Sequence, residues 1–312
     1  MKIILLGAAG FIGTNLIAEL SKDPNNEITI VDRDLRYFKP IINLNIPNLN
    51  IVESDLSMNT DYEKLVATQD LVYHLISTTV PSTSNRSISE ELKANVILSA
   101  NLLDACVTQK VKKIAFISSG GTVYGAGLNF PINEKDPTNP ITSYGIQKLC
   151  IEKLLYLYNY MYGLDYRIIR LSNPYGPYQR PDGRLGVITN FTYKALKGED
   201  IYVYGSGSIV RDYIYIDDAI RGIQNIVNGT SPYKTFNLGC GYGTTIKEII
   251  QAIESVLNVK LNINYTTARK VDVPVNYLDI SRYEAAYGTL SPINLEEGIK
   301  KTAKFLKQFY GI

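Results

Sequence analysis

The tightest constraint on this chain lies between Lys2 and Asp32. Lys2-Ile-Ile-Leu-Leu6 is an apolar run without alternation, the pattern of a strand buried on both faces of a parallel sheet. It runs into Gly7-Ala-Ala-Gly10-Phe-Ile-Gly13, and a helical pattern follows with Phe11, Leu16, Ile17 and Leu20 at core positions. A second apolar run, Ile28 to Val31, ends in Asp32. Strand, glycine turn, helix, strand and acid, in that order, describe a dinucleotide-binding unit. Gly7 lets the chain turn where a Cβ would clash. Gly10 lets backbone N–H groups approach a pyrophosphate, and Gly13 lets the helix pack closely on the sheet. The helix N-terminus then faces the phosphates with unpaired N–H groups and a partial positive charge. Asp32, nineteen residues after Gly13, is placed to bond the adenosine ribose hydroxyls. Its charge repels a 2′-phosphate, so NAD is expected rather than NADP; Arg33 and Arg36 are the nearby residues that would act the other way. The spacing is one residue longer than the usual fingerprint. The glycines alone would equally suit a tight turn in another doubly wound fold, so the reading rests on the order of the elements.

With 312 residues the chain can bury a large core, and it is long for one domain. Its 32 basic and 30 acidic residues leave a net charge of +2, which implies no polyanionic partner. There is no basic run with interleaved aromatics, so no nucleic acid is expected. Cys106, Cys150 and Cys240 are isolated and odd in number, which argues for a reducing compartment, the cytoplasm, over a disulfide framework. One histidine, His74, rules out a histidine-rich metal site, and no carboxylate cluster suggests another, so no metal is expected. The apolar start resembles a signal peptide, but glycines interrupt it and a single lysine precedes it. No segment approaches a membrane span in length.

A strand around Asn50 to Val52 is followed by Asp55, placed either to accept from an adenine amino group or to cap a helix over 61–67. Asp70 to Ile76 reads as a fourth strand, with small hydroxyls at Ser77, Thr78 and Thr79 beyond its end; His74 reads as a packed strand-end side chain. An apolar helix is predicted over Ser89 to Gln109 and a fifth strand over Val111 to Ser119. Further on, helices are expected over 185–196, 217–227, 245–257 and 294–309, with strands over 201–204 and 261–265.

Between them stands Ser143-Tyr144-Gly-Ile-Gln-Lys148, opening a helix that runs to about Tyr162. Tyr144 and Lys148 are four apart and share a helix face. A free tyrosine has a pKa near 10, so only about one in a thousand is ionised at neutral pH. A nearby ammonium and a positive nicotinamide ring both favour the phenolate. A tyrosine tuned in this way can remove a hydroxyl proton as hydride leaves for NAD. A surface tyrosine beside a solvated lysine is the plain alternative.

Gly7 to Gly13, Asp32, Ser118-Ser119, Val123-Tyr124-Gly125 and Tyr144 with Lys148 together resemble the extended short-chain dehydrogenase/reductase family, in its NAD-dependent sugar-nucleotide epimerase/dehydratase branch. Arg170 to Pro177, Arg211 to Asp218 and Phe236 to Gly239 are similar to later blocks of that branch, so the resemblance spans nearly the whole chain. It implies an α/β fold: a doubly wound (Rossmann) seven-stranded parallel sheet with a smaller C-terminal α/β substrate domain. The division expected is 1–172 for NAD, with return segments near 217–239, and 173–312 for a nucleotide sugar. The implied cofactor set is Gly7, Gly10, Phe11, Ile12, Gly13, Asp32, Asp55, Leu56, Leu75, Ser77, Ser118, Tyr144 and Lys148. Tyr144 is the implied base and Lys148 its partner. Asn173, Val187, Tyr204, Arg211 and Arg269 are the implied substrate contacts, with Asp272 orienting Arg269. Arginine forks suit diphosphate oxygens.

Two positions depart from the pattern. Many 4-epimerases carry Ser or Thr three residues before Val-Tyr-Gly, where this chain has Gly120. The polarising hydroxyl must then come from Thr122 or Ser119, and proximity alone favours Thr122. A lysine of galactose 4-epimerases corresponds to Thr79. The Asp-Glu pair of the dehydratases is absent, since Gly120-Gly121-Thr122 stands there.

The expected activity is NAD-dependent epimerisation of a nucleoside-diphosphate sugar, a UDP-hexose or UDP-HexNAc, at C4 through a 4-keto intermediate. A reductase or decarboxylase of a nucleotide sugar and a non-catalytic NAD-binding regulator are the alternatives. The apolar helices over 89–109 and 143–162 imply, by resemblance, a homodimer; burial within the monomer would explain them equally.

Overall fold

The computed structural model describes residues 1–42, 44–181, 185–268 and 273–312. Strand β1 (Lys2–Leu6), helix α1 (Phe11–Leu20) and strand β2 (Glu27–Asp32) form the first unit. Five more strands complete a seven-stranded sheet: β3 (Leu49–Glu53), β4 (Leu71–His74), β5 (Lys113–Ser119), β6 (Asp165–Leu171) and β7 (Thr235–Leu238). Their order is β7-β6-β5-β4-β1-β2-β3, and every pairing is parallel.

β1 shows why its sequence does not alternate. Ile3 and Leu5 enter one hydrophobic core and Ile4 and Leu6 the other, all fully buried. Each contributes about 1.5–3 kcal/mol by leaving water. The second core gathers Leu98, Leu102 and Leu103 of α2 (Leu98–Thr108) with Ile151 and Leu155 of α3 (Ser143–Tyr162). The first holds α1 and continues into the C-terminal helices, α4 (Val187–Lys197), α5 (Ile216–Asn228), α6 (Ile246–Leu257) and α7 (Leu295–Tyr310). The strand order turns back beside β1, and a sheet of this kind opens a crevice there, at the carboxyl ends of its strands.

The helix expected over Ser89 to Gln109 is interrupted. A short helix, Ile88–Leu92, passes into a π-helical turn, Lys93–Ile97, before α2 begins. The turn places Asn95 in the interior, where its amide bonds Thr78 and Gln147. No period in the sequence reports such a contact.

The C-terminal half contains pairings too short for a sequence pattern. Asn173–Tyr175 runs parallel to Tyr213–Tyr215, and Val210–Arg211 lies between Thr244–Thr245 and Val275–Asn276. The longer pair, Ile201–Tyr204 with Ile263–Thr266, falls close to the strands expected. Asn294 caps α7 by accepting from Glu297 N, and Thr245 caps α6 in a reciprocal box with Glu248. Among the described residues no helix is long and apolar enough to cross a membrane, and no group of three His, Cys, Asp or Glu could hold a metal.

Candidate active site

A cleft of about 820 Å³ runs along the carboxyl ends of the strands, from the glycine turn after β1 to the strand Ile201–Tyr204. At its cofactor end the turn is built as the residue types require. Gly7 has φ +81, and a Cβ there would lie 3.0 Å from Ile76 N. A Cβ on Gly13 would lie 2.1 Å from Ala8 O, so only glycine permits this approach of α1 to the turn. Gly10 differs: a Cβ would meet only Gly7 O at 3.7 Å, so the protein leaves its exposed side open towards the cleft. That open cradle at a helix N-terminus fits a pyrophosphate.

Phe11, Ile12, Leu75, Ser77 and Ser118 also line the cleft. The Ser118 hydroxyl is turned inward, donating to Glu152 Oε1 at 2.5 Å. Asp32 does not itself line the cleft; its carboxylate accepts from Ala9 N at 2.9 Å and Arg33 N at 2.8 Å, bracing the glycine turn from the end of β2. Arg36 is held by Asp34, so its charge is compensated locally. Asp55 is exposed and Leu56 half-buried, and neither lines the cleft. The cap of the helix Tyr62–Val66 is Asp61, not Asp55.

Tyr144 and Lys148 both line the cleft from the first turns of α3, whose N-cap Thr142 accepts from Gly145 N. The electrostatics differ from the sequence expectation. Burial pushes the Tyr144 phenol up to about 12. Burial also pulls Lys148 down to about 8, opposed by the Glu152 carboxylate. Lys148 Nζ donates to Ile117 O at 2.9 Å and lies 5.6 Å from the Tyr144 ring centre. It is charged at neutral pH, but in the protein alone its attraction does not outweigh the desolvation of the phenolate. His74 is buried, 2.7 Å from Ser99 Oγ and edge-on to Phe116; burial, with Lys148 nearby, holds it neutral with a pKa of about 3.

Ser119 lines the same cleft as Tyr144, whereas Thr122 does not, and its Oγ1 is buried without a partner. A Cβ on Gly120 would point at Leu278, 2.5 Å from Cδ1, so this position faces the interior.

At the far end Asn173, Val187, Tyr204 and Arg211 line the cleft. Asn173 is fixed by its Nδ2 donating to Asp212 O at 2.9 Å. Arg269 and Asp272 lie outside the described residues. The sequence reading missed Gln179 and Lys194 as cleft residues. Gln179 is buried, bonding Pro174 O and Thr189; Lys194 packs its ammonium 5.4 Å from the Tyr202 ring centre. Neither lies in a motif, so the sequence carries no signal for them.

Residues 3–239 match the model of the NAD dependent epimerase/dehydratase family. A UDP-glucose 4-epimerase of Mycolicibacterium smegmatis is 29% identical over 310 residues, covering 98% of this chain and 99% of that protein. A dTDP-4-dehydro-6-deoxyglucose reductase of Escherichia coli is 31% identical, covering 98% and 97%. The crystal structure of a UDP-glucose 4-epimerase from Thermotoga maritima with UDP-glucose superposes with a TM-score of 0.91 at 30% identity, covering 99% of this chain and 100% of that one. The glycine cradle, the fold and the family match agree, and the chain belongs to the NAD dependent epimerase/dehydratase family, with NAD as its cofactor.

Proposed function

We propose that this protein epimerises a nucleoside-diphosphate sugar, a UDP-hexose or UDP-HexNAc, at C4 through a 4-keto sugar. The observation that carries the reading is the placement of Tyr144 and Lys148 on one helix in the cleft that the Gly7–Gly13 turn opens. Tyr144 takes the proton of the sugar's 4-hydroxyl and later returns one to the opposite configuration. When bound, oxidised NAD supplies the hydride acceptor and a positive ring that offsets the burial penalty on the phenolate. Lys148 orients the cofactor ribose and adds its own positive charge. Asn173, Arg211 and Arg269 contact the diphosphate of the substrate, Tyr204 flanks its nucleobase, and Val187 is a further substrate contact. Residues 1–172, with 217–239, form the cofactor half and 173–312 the substrate half. Gly120-Gly121-Thr122, in place of an acid–base pair, favours epimerisation over loss of water. Incubation with UDP-glucose, UDP-GlcNAc and UDP-glucuronic acid, read by NMR, should yield a C4 epimer of at least one; no epimer from any, with NAD bound, overturns the reading.

Ser119 is the hydroxyl that polarises the sugar oxygen in this reading. Ser119→Ala is expected to lower kcat about 10²-fold, the usual cost of losing one such donor, and Thr122→Val to change it less than about threefold. The reverse order would put the role on Thr122.

The similarity to a nucleotide-sugar reductase supports a second reading, net reduction or decarboxylation of a related substrate. Net reduction requires a stoichiometric change in reduced-nicotinamide absorbance during turnover, where an epimerase gives none, and decarboxylation requires release of CO2 from a uronic-acid substrate with formation of a UDP-pentose.

We also place the enzyme in the cytoplasm, as a homodimer joined through α2 and α3. Leu157, Tyr160 and Met161 on α3 and Ile97 just before α2 are exposed, Tyr160 by 77%. Sedimentation should give a dimer for the native chain and a monomer for Leu157→Glu/Tyr160→Glu; an unchanged dimer would move the interface elsewhere.

A further inference from the structure

Behind the cleft, five polar side chains that no catalytic role employs are buried together: Glu91, Asn95, Ser143, Gln147 and Thr79. Gln147 stands at their centre. Its Nε2 donates to Glu91 Oε2 at 3.0 Å and to Ser143 Oγ at 2.8 Å. Its Oε1 accepts from Asn95 Nδ2 at 2.7 Å and Thr79 Oγ1 at 3.3 Å. Glu91 Oε2 also accepts from Ser143 Oγ at 2.6 Å, and its Oε1 accepts from Arg86 N and Ser87 N. Asn95 binds Thr78 in both directions, at 2.9 Å each.

These bonds join two walls of one site. Ser143 and Gln147 flank Tyr144 on α3, and Gln147 immediately precedes Lys148. Thr78 and Thr79 belong to the segment whose Ser77, Thr79 and Val80 line the same cleft as Tyr144 and Lys148. Asn85, at φ +73, closes the same segment onto α3 by accepting from Ser143 N at 2.7 Å. A buried network is favourable only when each member is satisfied, and here donors and acceptors alternate from Glu91 through Gln147 to Thr79.

We propose that Glu91 and Gln147 are positioning residues: together they set the distance between the Tyr144 helix and the Thr78–Thr79 wall, and so the alignment of base, sugar and cofactor. The proposal rests on Tyr144 being the base. It makes a specific demand on polarity. In Glu91→Gln the new NH2 group would face either the Gln147 amide or the Arg86 and Ser87 N–H groups, donor against donor in both orientations. In Gln147→Glu two carboxylates would meet. In the exchanged pair, Glu91→Gln/Gln147→Glu, the new amide donates to the new carboxylate, which still accepts from Asn95 and Thr79; every bond can be remade.

The test measures C4 epimerisation of the UDP-sugar that the enzyme turns over, with melting temperature, in the NAD-loaded full chain. Each single variant is expected to lose at least tenfold in kcat with KM within threefold, and the exchanged pair to return to within threefold of the native kcat. If Gln147→Glu does not fold, Glu91→Gln and the exchanged pair carry the comparison. Single variants with native kcat, a loss confined to KM or melting temperature, or an exchanged pair no better than its parents would each overturn the positioning role. Tyr144→Phe is measured alongside: should it turn over like the native enzyme, the base assignment falls and the proposal with it, whereas an inactive Tyr144→Phe with unresponsive Glu91 and Gln147 overturns the positioning role alone.

Discussion

Tyr144→Phe is expected to lower kcat about 10²–10⁴-fold, the range spanned by removal of a positioned general base. The ring that Tyr144 presents to the cleft is kept in phenylalanine, and the cradle built by Gly7, Gly10 and Gly13 is untouched. NAD content and KM should therefore stay close to native, and the loss should fall on kcat. That division separates a chemical role from a packing role. The charge balance sharpens it. With burial pushing the phenol up to about 12, the protein alone holds Tyr144 protonated at neutral pH. Ionisation then depends on charges assembled at the site, Lys148 and the oxidised cofactor. A Tyr144→Phe enzyme with more than about a tenth of native kcat would contradict this assignment.

Arg170→Leu is expected to destabilise the fold by about 3–5 kcal/mol, the cost of leaving a buried charge without its partner. Arg170 and Glu152 are both buried and paired by two parallel bonds, Nε to Oε1 at 3.1 Å and Nη2 to Oε2 at 2.7 Å. Arg170 also donates to Tyr124, and Ser118 donates to Glu152, so the pair ties β6, β5 and α3 together one turn beyond Lys148. Leucine removes the guanidinium and strands the carboxylate. The melting temperature should fall by roughly 6–15 °C. Arg170→Leu/Glu152→Leu should recover part of that fall, because no lone charge remains. A loss below about 1 kcal/mol for the single variant, or a double variant worse than both singles together, would contradict the account.

What the sequence made legible follows from how local each signal is. β1, the Gly7–Gly13 turn, α1 and β2 are contiguous, and the order of apolar run, glycines, helical period and acid is visible within one short stretch, so they could be read directly. Tyr144 and Lys148 were legible because one helical turn brings them together. Asp32 was read as a ribose ligand; the structure shows its carboxylate bonding Ala9 N and so holding the turn, through a contact across 23 positions. That Ser119 lines the cleft and Thr122 does not was not legible, because it depends on how the chain turns after β5. The acidified phenol was expected from Lys148 and the nicotinamide ring together; spacing contains no desolvation, and in the protein alone burial acts in the opposite direction. The π-helical turn at Lys93–Ile97 and the network on Gln147 are products of tertiary packing, to which neither periodicity nor motif points.

The most direct measurement follows a deuterium label placed at C4 of the UDP-sugar that the enzyme epimerises, in ordinary water, by NMR. If hydride leaves C4 and returns within the closed site while Tyr144 handles only the hydroxyl proton, the C4 epimer keeps its deuterium in full and no reduced cofactor is released. Loss of the label to solvent, or label found only in released reduced cofactor with no epimer formed, would contradict that chemistry.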